Sequence, residues 1–207
     1  MKRGIYLAVL VAVAATAPSW AGDGVVALQT ADPSCPDDSG DRYVNCGNGT
    51  VTDNNTGLVW LADADCIGAP TKKPSHYDAM AAVAGLSDLP YPSACGFLNS
   101  HQCDCGLTDG SSPGDWRLPS IGEWEAMLEA ACDPAITNDA GDGCWSQLCS
   151  DLGNCSFFYV RSSFYWSSSS SLPSPTLAWV ADLIHGEGGE VYPKNTSLLV
   201  WPVRGGQ

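Results

Sequence analysis

The stretch GDWRLPSIGEWEAML, Gly114 to Leu128, decides how this chain is read. Pro119 biases Leu118 away from helical backbone, so Trp-Arg-Leu-Pro runs extended. Ser120 then offers its hydroxyl as an N-cap, and Glu123, three residues on, completes a capping box. Ile121, Trp124, Met127, Leu128 and Ala131 follow at helical spacing and form one apolar face. An extended segment feeding a capped amphipathic helix is expected here.

Upstream, Thr50 to Leu61 reads as a β-hairpin: Thr-Val-Thr, an Asx-rich turn through Asp53, Asn54 and Asn55, then Leu-Val-Trp-Leu. Ser75 to Leu86 reads as a short helix capped by Ser75, with Tyr77, Met80, Val83 and Ala84 as its apolar stripe. Downstream, Phe157 to Trp166 reads as a strand and Ser167 to Ser171 as a low-complexity step into a loop. Leu177 to Ile184 and Glu190 to Tyr192 form a hairpin about His185-Gly-Glu-Gly-Gly189, and Leu198 to Arg204 is the last strand. Asp88 to Pro113 is rich in turn residues, and Cys132 to Cys155 is a cysteine-bearing insertion. Two short helices with antiparallel strands and long loops make an α+β pattern.

Met1 to Ala21 has the form of a cleavable secretory signal: Lys2 and Arg3, an apolar run from Ile5 to Ala17, and Ser19-Trp20-Ala21. That run is shorter than the roughly 18 residues a spanning helix needs. A secreted, periplasmic or cell-surface location without an anchor is expected. Residues 22–41 read as a polar leader and 42–207 as one domain.

Loss of Lys2 and Arg3 takes the formal charge from −14 to −16 and leaves seven basic residues: Arg42, Lys72, Lys73, Arg117, Arg161, Lys194 and Arg204. Such acidity opposes encounter with nucleic acid, anionic membranes and sulfated glycans. All ten cysteines (Cys35, Cys46, Cys66, Cys95, Cys103, Cys105, Cys132, Cys144, Cys149 and Cys155) lie in the exported part. An even count in an exported chain reads as disulfides that staple the loops, with the pairing open.

Trp116-Arg-Leu-Pro119 followed by Glu123-Trp-Glu125 resembles a hallmark of two related groups. One is the formylglycine-generating enzyme and sulfatase-modifying-factor superfamily. The other is the Lcl C-terminal domain family, named for a bacterial collagen-like adhesin. Asn48 to Asp53 with Asn55 to Trp60, Cys105 to Pro119, Tyr165 to Ser169 with Ala178-Trp179, and Trp201 to Gln207 are similar to the second group, in order. The resemblance spans Arg42 to Gln207 and implies a C-type-lectin-like fold more strongly than a function.

Oxidases of the formylglycine-generating type are understood to bind copper through a cysteine pair near the C-terminus. No cysteine follows Cys155, so that reading is disfavoured. His101-Gln-Cys103-Asp-Cys105 lacks the spacing of a zinc site, and disulfides to separate partners explain Cys103 and Cys105 better. His76 and His185 read as surface residues, and no Gly-x-Ser-x-Gly elbow accompanies the serine run. Neither a catalytic residue, a cofactor nor a metal is expected. Trp60, Trp116, Trp124, Trp166, Trp179 and Trp201 read as core, whereas Trp145, between Cys144 and Cys149, reads as exposed. Tyr159, Arg161, His185 and Tyr192 fall near strand ends or turns, where lectin-like folds place ligands.

Together these features point to an exported, non-catalytic recognition or adhesion domain. It binds a glycan or an extracellular protein surface through some of Trp145, Tyr159, Arg161, His185 and Tyr192. Glycosaminoglycans, bound by adhesin-like relatives, are disfavoured by the charge. The alternatives are a structural, homo-oligomeric subunit of an extracellular assembly, and a secreted enzyme whose site is not recognised.

Overall fold

A computed structural model describes Cys35 and residues 40–67, 73–85, 105–112 and 114–206. The signal segment, the leader apart from Cys35, Gly40 and Asp41, and His101, Cys95 and Cys103 lie outside the described residues. In chain order the elements are β1 (Tyr43–Asn45), β2 (Thr50–Asp53), β3 (Leu58–Leu61), α1 (His76–Ala84), α2 (Ile121–Met127), α3 (Gln147–Asp151), β4 (Phe164–Ser170), β5 (Leu177–Asp182), β6 (Glu187–Pro193) and β7 (Val203–Arg204). They form two antiparallel sheets, ordered β1-β2-β3-β7 and β4-β5-β6. The architecture is α+β.

The expected hairpin is β2-β3, with Val51 opposite Trp60 and Asp53 opposite Leu58. Its turn is held by Asp53, whose carboxylate accepts from the Asn55 amide at 3.0 Å and the Thr56 hydroxyl at 2.9 Å. The start of α2 is the expected capping box: the Ser120 hydroxyl accepts from Glu123 N, and Glu123 Oε2 accepts from Ser120 N at 2.7 Å. Trp124 and Met127 are its buried face. The helix stops at Met127, so Ala131 falls beyond it.

The core is aromatic. Trp60, Trp124, Trp201, Tyr165, Phe157 and Tyr43 form a run of tilted and edge-on ring pairs with centroids 4.8–6.0 Å apart. Two of the clustered indoles find acceptors, while the Trp60 indole is buried without one: Trp124 donates to the Trp166 carbonyl at 3.2 Å and Trp201 to the Leu61 carbonyl at 2.7 Å. The second bond ties the chain's end to β3. Trp166 N donates to the Leu199 carbonyl at 2.9 Å, linking the segment before β7 to β4.

Five expectations are corrected. Ser167 to Ser170 continue β4 instead of leaving it. Buried Ser167 donates to the Trp179 carbonyl, and Ser169 Oγ accepts from Ile121 N at 3.0 Å, so hydroxyls satisfy backbone groups that neighbours leave open. A third helix, α3, lies inside the cysteine insertion. On α1 the buried residues are His76, Ala79, Ala82 and Val83, while Tyr77 and Met80 face solvent. His76 is buried rather than superficial. Its Nε2 lies 3.0 Å from the Ser167 carbonyl, its ring meets Trp166 edge-on, and burial holds its pKa below the ordinary value. The last strand is regular only at Val203–Arg204 because Pro202 has no N–H to continue a ladder.

Among the described residues, four disulfides join Cys35 to Cys46, Cys66 to Cys105, Cys132 to Cys144 and Cys149 to Cys155. No helix among the described residues is long and apolar enough to cross a membrane. Both observations are compatible with an extracellular protein.

Candidate functional site

Tyr159 and Arg161 share one loop, which hydrogen bonds tie to its neighbours. Phe158 N donates to the Ala62 carbonyl at 2.8 Å, Ala64 N donates back to the Phe158 carbonyl at 3.0 Å, and Arg161 N donates to the Tyr165 hydroxyl at 3.1 Å. The Cys149–Cys155 and Cys66–Cys105 bridges flank the two strands of this contact. Tyr159 sits in the left-handed region at φ 54° and is 57% exposed. A bulky aromatic rarely adopts that backbone, and it holds only where the surroundings enforce it. Arg161 pairs with Asp65, which raises the guanidinium pKa further. The second oxygen of Asp65, Oδ1, is buried without a partner. Burial raises the pKa of neighbouring Asp63, whose Oδ1 accepts from Asp65 N at 2.9 Å.

His185 and Tyr192 lie on the β5-β6 hairpin. His185 is exposed at the turn, and its Nδ1 is 2.6 Å from Asp182 Oδ2. That hydrogen bond lifts the imidazole pKa above its ordinary value. Asp182 also accepts from Ile184 N at 2.8 Å, so the pair shapes the turn. Gly186 is needed there. It has φ 74°, and a Cβ would overlap the Ala130 backbone. Tyr192 stands further along, opposite Ala178, with its ring 5.3 Å from Phe164.

Trp145 is not a surface platform. It is 5% exposed, its indole donates to the Phe157 carbonyl at 3.0 Å, and its amide donates to the Ile136 carbonyl. The two-cysteine loop folds inward and spends the indole on the core.

The structure also forms a polar cleft of about 530 Å³ that the sequence reading did not anticipate. Its lining includes Asp41, Arg42, Asn54, Asn55, Glu129 and Thr137. The signal lay in the Asn pair of the β2-β3 turn. Asp53 alone does the turn's work, which leaves the Asn55 carboxamide unneeded by it.

All four arginines among the described residues face carboxylates: Arg42 with Asp53 at 3.3 Å, Arg117 with Glu123 at 2.6 Å, Arg161 with Asp65, and Arg204 with Asp109 at 3.3 Å. Lys73 and Lys194 hydrogen-bond to Ser163 and Ser170 instead. Among the described residues, no group of three or more His, Cys, Asp or Glu side chains is placed to hold a metal ion.

The model of the Lcl C-terminal domain family matches residues 49–204. The chain belongs to that family. No curated protein matches it. In this Lcl C-terminal domain the Trp-Arg-Leu-Pro motif has a structural task. Arg117 grips both oxygens of Glu123 at 2.6 and 2.7 Å and donates to the Gly205 carbonyl at 2.7 Å. One guanidinium therefore locks the capping box of α2 to the chain's end, a fork geometry that lysine does not offer.

Proposed function

We propose that this is a C-type-lectin-like recognition domain, exported and non-catalytic, which binds a glycan or another protein's surface at the cell exterior. The observation that carries the reading is Tyr159: an exposed aromatic ring, held in an unfavourable backbone conformation on a loop that disulfides and the 62–65 segment make rigid. A ring presented this way loses little freedom on binding, which is what an affinity platform needs. Asp63, Asp65 and Arg161 supply polar groups beside it. The commitment of every described arginine to a carboxylate supports neutral or cationic ligands over sulfated glycans.

The test is an array of glycans and extracellular proteins probed with the oxidised domain. Specific binding that vanishes on disulfide reduction is expected. Turnover of a substrate, or an array that stays blank, overturns the proposal.

One observation favours a second reading, a subunit of an extracellular assembly: β6 is a seven-residue edge strand with mostly exposed residues. Light scattering separates the two, since a mass that rises with concentration supports assembly.

A further inference from the structure

We infer that the cleft beside the β2-β3 turn is a second binding site, one for a neutral polyhydroxylated ligand such as a saccharide ring. It stands apart from the Tyr159 loop and does not depend on it.

The volume, about 530 Å³, lies within the range of small-molecule sites. Its lining is rich in hydrogen-bonding groups of mixed kind: the Asn54 and Asn55 carboxamides, the Asp41 and Glu129 carboxylates, and the Thr137 hydroxyl. That mixture matches hydroxyls, each of which donates and accepts. Anions are disfavoured. Arg42, the cation of the lining, is already engaged by Asp53 at 3.3 Å and by the Ala126 carbonyl at 2.7 Å, with Asp41 and Glu129 in the same lining.

Beneath the cleft lies the second observation. Thr137 is 7% exposed, and its hydroxyl and that of Tyr43 are buried with no partner but each other. Even a contact between the two engages one proton of two, so a donor is left over. A buried donor of that kind is costly unless something enters to accept it. Thr137 belongs to the cleft lining, so a turn of its side chain to another rotamer as the ligand enters lets a ligand hydroxyl meet the need.

The experiment is NMR titration of the labelled, oxidised domain with glucose, galactose, mannose, N-acetylglucosamine and their disaccharides. Glucuronate and calcium chloride serve as controls, and Asn55→Ala, Thr137→Val and Tyr159→Gly as variants. Asn55 is exposed and Thr137→Val preserves shape, so both variants should keep the wild-type spectrum elsewhere. A neutral sugar should shift the Asn55 side-chain amide and the Thr137 and Gly141 amides, and each cleft variant should weaken it about five-fold, as for one lost hydrogen bond. Tyr159→Gly should leave this binding unchanged. The inference is overturned if no neutral sugar shifts these signals at about 50 mM, well above a millimolar Kd. It is equally overturned if calcium or glucuronate shifts them as strongly, or if sugar shifts arise only around Tyr159. The last result would leave the loop's role standing.

Discussion

Replacing Glu123 with Gln isolates the charge at the joint between α2 and the chain's end. Glutamine keeps one oxygen and can still accept from Ser120 N, so the capping box survives. What goes is the two-oxygen grip on Arg117, with bonds of 2.6 and 2.7 Å, one of which becomes a donor facing a donor. A charge-assisted hydrogen bond contributes about 1.5–3 kcal/mol. Because both side chains keep some solvent contact, about 2 kcal/mol is expected at neutral pH, and Tm should fall by about 4–8 °C for a domain of this size. The dependence on pH gives the sharper test. Burial pushes the Glu123 carboxyl up, but its bonds to Arg117 and Ser120 outweigh that and hold it below the ordinary value of 4.5. A group depressed in the folded state stabilises above its unfolded pKa and loses that contribution as pH falls through the folded one. The gap in Tm between wild type and Glu123→Gln, measured by calorimetry, should therefore be full at pH 7 and close as pH drops below about 4.5. Equal melting at pH 7, or a gap that persists in acid, refutes the reasoning.

Three other outcomes follow from the same geometry. Losing the Cys66–Cys105 bridge, whose ends are 39 apart in sequence, should cost about 4 kcal/mol, against about 2 kcal/mol for Cys149–Cys155, whose ends are 6 apart, by denaturant unfolding of the paired Cys→Ala variants; equal costs would rule out the loop-entropy account. Ser169→Ala should cost about 1 kcal/mol in the same assay because Ile121 N loses its acceptor at the start of α2, and a neutral result would mean water replaces the hydroxyl. NMR titration should place the His185 pKa above 6.5, and Asp182→Asn should lower it. A histidine raised by folding adds stability below its unfolded pKa, lost as pH rises through the folded value; a His185 pKa at or below 6.5 would remove the pair.

How far the residues alone carried the structure depends on whether the signal was local. The α2 capping box and the β2-β3 hairpin rest on contacts within a few residues, and both were legible. The serines of β4 were not, since their low strand propensity pointed outward, whereas long-range bonds to Trp179 and Ile121 hold them in the sheet. Trp145 misled for a related reason. A tryptophan in a cysteine loop looks available until Phe157 and Ile136 accept its two N–H groups. Tyr159 and Arg161 could be placed near a turn, but neither the left-handed backbone nor the pairing with Asp65 is a local property. The cleft is assembled from the strand starts, a turn and two distant loops, so only the Asn pair hinted at it.

The central claim is that the Tyr159 ring, carried on its tied-down loop, recognises a partner while taking no part in holding the fold. Tyr159→Gly tests it directly, because glycine tolerates φ 54° and removes the ring. Relief of about 1–2 kcal/mol of backbone strain, offset by glycine's freedom in the unfolded chain, should leave stability equal or slightly higher. Binding to the wild-type array partner, measured by surface plasmon resonance, should weaken at least about ten-fold, the 1.4 kcal/mol expected of a lost aromatic anchor. Undiminished binding by a stably folded Tyr159→Gly domain would contradict the account.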